Sequence, residues 1–212
     1  MAVLRVNPTR MELTRLKKRL AVAVRGHKLL KDKRDEMVRR FMELIKENKR
    51  LRESVEAELG VALRSFLGAS LTMSPEDMEV ALLYPSKRFK VHVAKNNIMS
   101  VDVPKIEYEE LESNHSTYPY GMVNTTGEMD VAVDRLAEAL PNLIRLAELE
   151  KTCNMLADEI EKTRRRVNAL EYVMIPQLEE TIRYITMKLD ENERGNLTRL
   201  MKMKELMKQA EG

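Results

Sequence analysis

Apolar residues recur at alternating steps of three and four through the first third of the chain. The pattern starts beside Thr9 and Glu12, which have the spacing of a helix capping box. A heptad repeat of this length predicts one long helix over residues 8–72 that forms a left-handed supercoil with a partner helix. Near its end the stripe is expected to shift to Leu59, Leu63 and Phe66. Eleven of the sixteen predicted core positions are apolar, and all sixteen are Leu13, Leu16, Leu20, Ala23, His27, Leu30, Arg34, Met37, Phe41, Leu44, Asn48, Leu51, Val55, Glu58, Ala62 and Ser65.

Residues 73–126 have a different character and predict a small middle segment. Ser74 followed by Pro75 has the form of a new helix start, and this short helix is expected to end near Tyr84-Pro85. The stretch 113–127 is rich in Ser, Thr, Asn, Tyr and Gly, a composition typical of a loop.

Two runs of alternating apolar and polar residues lie inside this middle segment. They predict a β-hairpin whose turn is Asn96-Asn97 and whose second strand is stopped by Pro104. The apolar residues assigned to the hairpin are Phe89, Val91, Val93, Ile98, Met99, Val101 and Val103.

Residues 127–208 predict a second long helix. Thr125 and Glu128 have capping-box spacing, and Pro141 and Pro176 predict a local kink or break near each proline. Successive steps of four at Leu170, Met174, Leu178 and Ile182 form a stutter, which locally unwinds a coiled coil. The basic, Met-rich residues 199–209 are expected to fray. The remaining inward positions are Leu136, Leu140, Leu143, Leu146, Leu149, Cys153, Leu156, Ile160, Thr163, Val167, Ile185 and Leu189.

Neither long helix can bury its apolar stripe alone. Pairing them with each other is the simplest solution, because the middle segment is long enough to reverse the chain. The predicted fold is therefore all-α: a long antiparallel two-helix coiled coil with a small middle insert that contains a β-hairpin and a short helix. An antiparallel homodimer or a heteromeric coiled coil would satisfy the same heptads.

Composition agrees with long helices and limits the functional classes. The chain has 43% hydrophobic, 33% charged and only 4% aromatic residues, with 15 Met and no Trp. A net charge of +3 argues against a protein built to coat nucleic acid. One Cys excludes a disulfide framework. No signal peptide or membrane-spanning run is found, so any membrane association is expected to come through partners rather than direct insertion.

Candidate catalytic and metal-binding groups are sparse. No phosphate-binding glycine loop is present, the three His are far apart, and no acid–base pair is suggested, so neither a cofactor nor a metal is expected. His27, Arg34 and Asn48 fall on core positions and are interpreted as buried polar contacts that fix helix register. Cys153 is interpreted as an ordinary core residue.

Two basic runs have two interpretations. One run is Arg15, Lys17, Lys18 and Arg19, and the other is Arg164, Arg165 and Arg166. Each is either a solvated helix face or a contact for an acidic partner surface.

Four segments of the chain are distinctive: Asn7–Leu13, which contains Arg10, then Arg25–Asp35, Asn97–Pro104, and Glu161–Glu171 continuing through Ile175-Pro176. Together they span nearly the whole chain. In the same order they resemble segments of the D subunits of V/A-type rotary ATPases, and the resemblance is to bacterial members of that family. Ser100 stands where Gly is expected in many relatives.

The resemblance implies a central shaft that does no catalysis itself. In that family the end bearing both termini inserts into a hexamer of alternating A and B subunits, and the small F subunit clasps the shaft near the middle segment. The far end docks into a socket subunit above the membrane ring, on the cytoplasmic face of the cell membrane. The shaft then couples ATP hydrolysis or synthesis to proton or sodium transport. Arg10 and the two basic runs become candidate partner contacts, and the hairpin becomes a candidate regulatory element or a contact for the F subunit.

Two rival classes share the coiled-coil pattern. A free-standing cytoskeletal or tethering coiled coil would form homodimers and ignore ATPase subunits. A nucleic-acid-binding helical hairpin would show steeply salt-dependent binding, which the mixed charges disfavour.

Overall fold

The computed structural model describes residues 4–83, 88–111, 118, 120–121 and 123–210. The predicted fold class is confirmed: along the chain, long helices stand on either side of a small segment that contains a short helix and a β-hairpin. The elements are α1 (Arg10–Thr72), α2 (Pro75–Leu82), β1 (Arg88–Ile98), β2 (Val101–Leu111), α3 (Gly127–Ala169), a π-helical turn (Leu170–Met174) and α4 (Ile175–Ala210). The predicted end of α2 at Tyr84-Pro85 and most of the predicted loop 113–127 lie outside the described residues.

The contacts divide the chain into two compact units. The first contains the residues up to Glu36 together with those from Ile160 onward, and the second is Met37–Glu159. In the first unit Arg10 approaches Glu193 at 3.4 Å and His27 approaches Glu171 at 3.3 Å. Residue numbers therefore rise along one helix as they fall along the other, and the helices of this unit are antiparallel.

The core of the first unit joins the start of α1 to α4. Leu16, Ala23, Leu178 and Ile185 are buried, and flanking leucines and isoleucines pack around them. The segment before α1 covers part of this core, because Leu4 packs against it and its backbone N–H donates to Thr181 Oγ1 at 3.1 Å.

The second unit has its own antiparallel helix pair. Arg52 lies 3.3 Å from Glu150, and Asn142 donates to Glu58 at 3.1 Å. One core cluster of this unit includes α2: the buried residues Ala69, Met73, Ala81 and Met129, with Phe66, Met78, Tyr120 and Val133 packed against them.

All sixteen predicted core positions of α1 are buried or half-buried. The predicted one-residue shift of the stripe is wrong at Leu63, which is 55% exposed. Ala62 and Ala69 are fully buried instead, so the heptad continues in register. In the sequence, Leu63 is a stronger candidate for a core position than an alanine. Alanine is nevertheless suited to this position, because its small side chain lets the paired helices approach closely.

The predicted N-cap hydrogen bond is present at two of the three predicted helix starts. Thr9 Oγ1 accepts from the Glu12 N–H at 3.2 Å, and Ser74 Oγ accepts from the Asp77 N–H at 3.1 Å. The predicted capping box of Thr125 and Glu128 is wrong, because the Thr125 hydroxyl donates to the Gly121 carbonyl at 3.1 Å. The Glu128 carboxylate is directed instead toward Gly68, where an added Cβ would collide with its Oε2.

The two prolines of the second long helical region behave differently. Of the kink or break expected near Pro141, the break is absent, because α3 continues through this exposed residue. The ring faces solvent there, where water can satisfy the carbonyl that loses its partner. Near Pro176 the predicted break is confirmed: Leu170–Met174 is π-helical, and the Ile175 N–H bonds the Leu170 carbonyl. A proline in a regular helix costs about 3 kcal/mol, and the wider turn relieves that clash.

The inward stripe of this region matches the prediction except at two positions. Leu136 and Met174 are each 40% exposed, whereas the other predicted positions are buried or half-buried. α4 is helical to Ala210, through the residues that are expected to fray.

The hairpin exists, but its turn and length differ from the prediction. Ile98 pairs with Val101, so the turn is Met99-Ser100, and both residues have positive φ (53° and 70°). Two such residues form the tight turn that matches strand twist, although Asn or Gly usually occupies it. Asn97 helps, since its Oδ1 accepts from the Ser100 N–H at 3.1 Å.

Pro104 does not stop the second strand. It pairs with Lys95 three positions beyond the Ile98–Val101 pair, and β2 continues to Leu111. Hydrogen-bonded and non-hydrogen-bonded pairs alternate in an antiparallel ladder, which places Pro104 at a non-hydrogen-bonded pair. Its missing N–H therefore removes no ladder bond.

Candidate functional site

Both basic runs lie on the outside of their helices. Lys17, Lys18 and Arg19 are exposed between the inward positions Leu16 and Leu20. Three consecutive residues between core positions four apart must face away from the partner helix, so these cations are presented to solvent.

Arg164, Arg165 and Arg166 have the same arrangement. They are exposed between Thr163 and Val167, which are 2% and 1% exposed. Arg165 also forms an ion pair with Glu161 one helical turn earlier.

The first unit does not bring the two basic runs together. Residues 15–19 precede His27 on α1, and residues 164–166 precede Glu171 on the facing helix. Because the two helices are antiparallel, the runs lie on opposite sides of the His27–Glu171 contact. The runs are therefore two separate surfaces at different levels. Arg10 and Arg15 approach Glu193 and Glu12 at 3.4 and 3.6 Å while their side chains stay about four-fifths exposed.

The three polar core positions make three different kinds of contact. His27 Nε2 lies 3.3 Å from Glu171 Oε2 on the facing helix, a contact that depends on register. Arg34 instead donates from Nε and Nη2 to Asp35 Oδ1 of its own helix, at 2.9 and 2.7 Å. This bond neutralises a half-buried guanidinium but adds no contact between helices.

Asn48 faces Cys153 across the second helix pair. Burial raises the pKa of the Cys153 thiol, and a hydrogen bond from Asn48 offsets part of that effect. Asn48 Oδ1 is buried without a partner among the described residues. A groove of about 350 Å³ beside the pair is lined by Phe41, Ile45 and Asn154. An unpaired buried acceptor is costly, so Asn48 fits a register device that weakens the core.

The hairpin presents two unlike faces. Val101 and Val103 are buried at 9% and 2%, and they share a face with half-buried Ile98. On the opposite face, Val91 and Val93 are 53% and 66% exposed. The apolar residues near the turn therefore hold the hairpin in the second unit, and the valines of β1 form an uncovered apolar surface.

The remaining hairpin contacts fix that surface in place. Phe89 is half-buried with its ring edge-on to Tyr108, at a centroid distance of 6.3 Å. The Ile106 N–H donates to Glu148 of α3 at 3.0 Å, so the outer edge of β2 is tied to a helix. Met99 occupies the turn and is half-buried.

Sequence reasoning missed a polar cluster near the start of α3. Tyr120 donates to Asp130 at 2.7 Å, and Tyr118 donates to Asp134 at 2.9 Å. Desolvation and the Asp130 hydrogen bond raise the pKa of Tyr120. The only sequence signal was a pair of tyrosines in a polar stretch, which does not identify partners that follow on a helix. These bonds fasten the chain entering α3.

The exposed apolar surface at the end of α4 was not predicted from the sequence. Beyond Glu193, which lies opposite the first residue of α1, every residue from 194 to 207 is exposed. At 1.5 Å per residue, the helix continues about 25 Å past that contact. Its exposed apolar residues are Leu197, Leu200, Met201, Met203, Leu206 and Met207.

Metal-ligand clusters and membrane-spanning helices are absent from the described part of the chain. Within those ranges, no three His, Cys, Asp or Glu side chains are grouped as metal ligands would be. No described helix combines the length and apolar character that a bilayer crossing requires.

The fold defines a coiled-coil protein that presents charged runs and uncovered apolar side chains on its exterior. A family profile described as the D subunit of ATP synthase matches residues 12–205. The chain belongs to this family.

Curated relatives match over nearly their whole length. The D subunit of a V-type ATP synthase from Thermoanaerobacter sp. (strain X514) is 60% identical over 207 residues, covering 98% of this chain and 99% of the relative. The V-type ATP synthase D subunit of Acetivibrio thermocellus is 59% identical over 208 residues, covering 98% and 94%. One from Clostridium botulinum (strain Langeland) is 59% identical, covering 97% and 96%.

Replacing Asn48 by Leu should raise the free energy of unfolding by about 1 kcal/mol, because it removes a buried acceptor, Asn48 Oδ1, that has no partner among the described residues. It should also loosen helix register, since a polar core residue penalises alternative pairings. Urea unfolding followed by circular dichroism measures the first effect, and duplicated amide resonances of α1 measure the second. Asn154→Leu, exposed in the same groove, should change stability by less than about 0.5 kcal/mol. Lower stability of Asn48→Leu would contradict the assignment.

Proposed function

We propose that this chain is the central rotor shaft of a V/A-type ATPase. It transmits torque between a catalytic hexamer of A and B subunits and a membrane ion-translocating ring, and it does no catalysis itself. The observation that carries the proposal is the end of α4. An isolated helix that exposes Leu197, Leu200 and Met203 is stable only when a partner covers its apolar side chains.

The direction of insertion follows from the same feature. The amino terminus of α1 and the projecting end of α4 lie in the first unit, so this end enters the cavity of the hexamer. Apolar contacts suit such a bearing because they are non-directional and do not fix one orientation. The cations of residues 199–208 keep the unbound end soluble.

Torque transmission requires that the hexamer interfaces see unequal surfaces. A pair of helices lacks threefold symmetry, so the three catalytic interfaces of a hexamer meet different side chains at any angle. Each interface is biased only by the difference between the shaft's affinity for its open state and its closed state. Many modest charged contacts provide such differences without trapping one angle.

The remaining partners follow from this arrangement. The F subunit is the proposed partner of the second unit and its hairpin, and a socket subunit is the proposed partner that links the chain to the membrane ring. The chain is held at the cytoplasmic face of the membrane by these contacts. The coupled ion, proton or sodium, is bound by the ring and not by this chain.

Assembly tests the proposal directly. The purified chain, mixed with A, B and F subunits, should form a complex with one copy per hexamer and altered ATPase kinetics, measured by size exclusion with light scattering and an ATPase assay. A matched chain that ends at Glu193 should lose hexamer binding but keep binding the F subunit, because only the projecting helix is removed. A chain that remains a homodimer and leaves ATPase activity unaltered would favour the tethering coiled coil.

Reversing Arg164, Arg165 and Arg166 to Glu should weaken assembly by about tenfold, since partly exposed charge contacts each contribute up to about 1 kcal/mol. Replacing Arg15, Lys17, Lys18 and Arg19 by Glu should act independently, because the two runs are separate surfaces. Interferometry measures the binding of each variant to the hexamer and to the F subunit at two salt concentrations, and so shows which partner each basic run contacts.

The control for the arginine run keeps its charge: Arg164, Arg165 and Arg166 are replaced by Lys. This variant should bind nearly as well as the parent chain if the contact is electrostatic. Unchanged binding and ATPase rate in the Glu variants, with helicity preserved, would make both runs solvated helix faces.

The exposed valines of β1 give a test of the hairpin that leaves its core intact. Val91→Glu with Val93→Glu should change binding of the F subunit or the ATPase rate of the complex severalfold, because charge is placed on the uncovered apolar face. Helicity and the melting temperature should stay close to those of the parent chain. Ala94→Glu, exposed on the other face opposite Lys105, is the control. If the parent chain and both variants bind the F subunit equally and give the same ATPase rate, this face of the hairpin is not part of the interface.

A further inference from the structure

Two helical registers of the same sequence compete at the π-helical turn Leu170–Met174. Ile175 occupies the inward position and packs on the core of the first unit, whereas Met174 is 40% exposed. Yet Met174 stands four residues after Leu170 and four before Leu178, the spacing that a regular α-helix would turn inward. Either residue can therefore fill the same place in the core.

Pro176 favours the register that is observed. In a regular α-helix its ring would meet the Tyr172 carbonyl, and it has no N–H to donate. The π turn avoids this conflict by bonding the Ile175 N–H to the Leu170 carbonyl, five residues back. A half-open groove of about 260 Å³ lies beside Met174, lined also by Leu4, Val173 and Gln177, so the side chain has room to move out of its present position.

The two registers require different supercoil twist. With Ile175 inward, the core positions Ile175, Leu178, Ile182, Ile185 and Leu189 follow steps of three and four, which sustain a left-handed supercoil. With Met174 inward, the positions Leu170, Met174, Leu178 and Ile182 follow successive steps of four, a stutter that locally unwinds the pair. Twisting the helix pair therefore changes the balance between the registers.

We propose that Leu170–Met174 is a two-state torsional element in which Met174 and Ile175 exchange the inward position. Unwinding favours the α-helical state with Met174 inside, and release restores the π turn. Glu171 lies within the turn, so its contact with His27 on α1 forms in the π state and is lost as the turn changes register. The source of the twist rests on the proposed rotor function, but the two registers belong to the chain alone.

Methionine-methyl NMR of the full-length chain tests the exchange without any partner. The Met174 signal is identified by its loss in Met174→Leu, and a soluble paramagnetic agent should broaden it strongly because the methyl group is exposed. Pro176→Ala removes the steric cause of the π turn. It should raise a second, protected Met174 signal at least tenfold above its level in the parent chain. A single exposed signal in Pro176→Ala would overturn the proposal.

A second variant protects the test against a nonspecific effect of Pro176→Ala. Met174→Lys places a charge that the core excludes, so it should restore the parent register when combined with Pro176→Ala. Fluorotyrosine NMR reads this at Tyr172, whose signal is assigned by Tyr172→Phe. Two Tyr172 environments should be present in Pro176→Ala and one in the double variant. Persistence of both in the double variant would show that the second environment is not the Met174 register.

The torsional role is tested in the assembled ATPase. Thermal angular fluctuation of a probe on the ring end of a stalled complex should be narrower for Met174→Lys than for the parent chain, because the second state is removed. Equal fluctuations would overturn the torsional role. If the chain does not assemble as a rotor at all, the proposed function fails while the NMR result still decides the register exchange.

Discussion

Burial of a narrow inward stripe between antiparallel helices is the constraint on which the described structure depends. Small residues such as Ala23, Ala62 and Ala69 occupy that stripe in α1 and let the facing helix approach. The residues between these inward positions face outward. The described exterior of the helices therefore carries the charged runs and the uncovered apolar residues.

The same constraint makes irregularities informative. A polar residue on the stripe must find a partner on the facing helix or on its own helix, as His27 and Arg34 do, or remain unpaired, as Asn48 Oδ1 does among the described residues. A proline can remain within an α-helix where its ring faces water, as at Pro141. Near Pro176 the core positions Leu170 and Leu178 fix the helix on both sides, so the backbone itself must change, and a π turn results.

The long helices could be predicted from the sequence because a heptad repeat marks the inward face of the helix at many successive positions. One weak position, such as Ser65 or Glu58, does not alter the pattern. The hairpin turn is a single local choice, and there sequence failed. Asn96-Asn97 has better turn chemistry than Met99-Ser100, yet burial of Val101 and Val103 sets the register and forces the turn to follow. Pro104 was misread for a similar reason, since its effect depends on which ladder position it occupies.

The candidate interfaces were only partly predictable, for a physical reason. Basic runs can be placed on the outer helix surface from the heptad, and Arg164–Arg166 indeed lie there, but charge and exposure are shared by a solvated face and a docking face. Uncovered apolar side chains distinguish the two more sharply, because water does not stabilise them. The valines of β1 and the end of α4 meet that criterion, whereas heptad analysis had treated the end of α4 as a frayed terminus. Leu200 and Met201 stay exposed on a regular helix, so folding of a single chain leaves this apolar surface uncovered, and a binding partner would cover it.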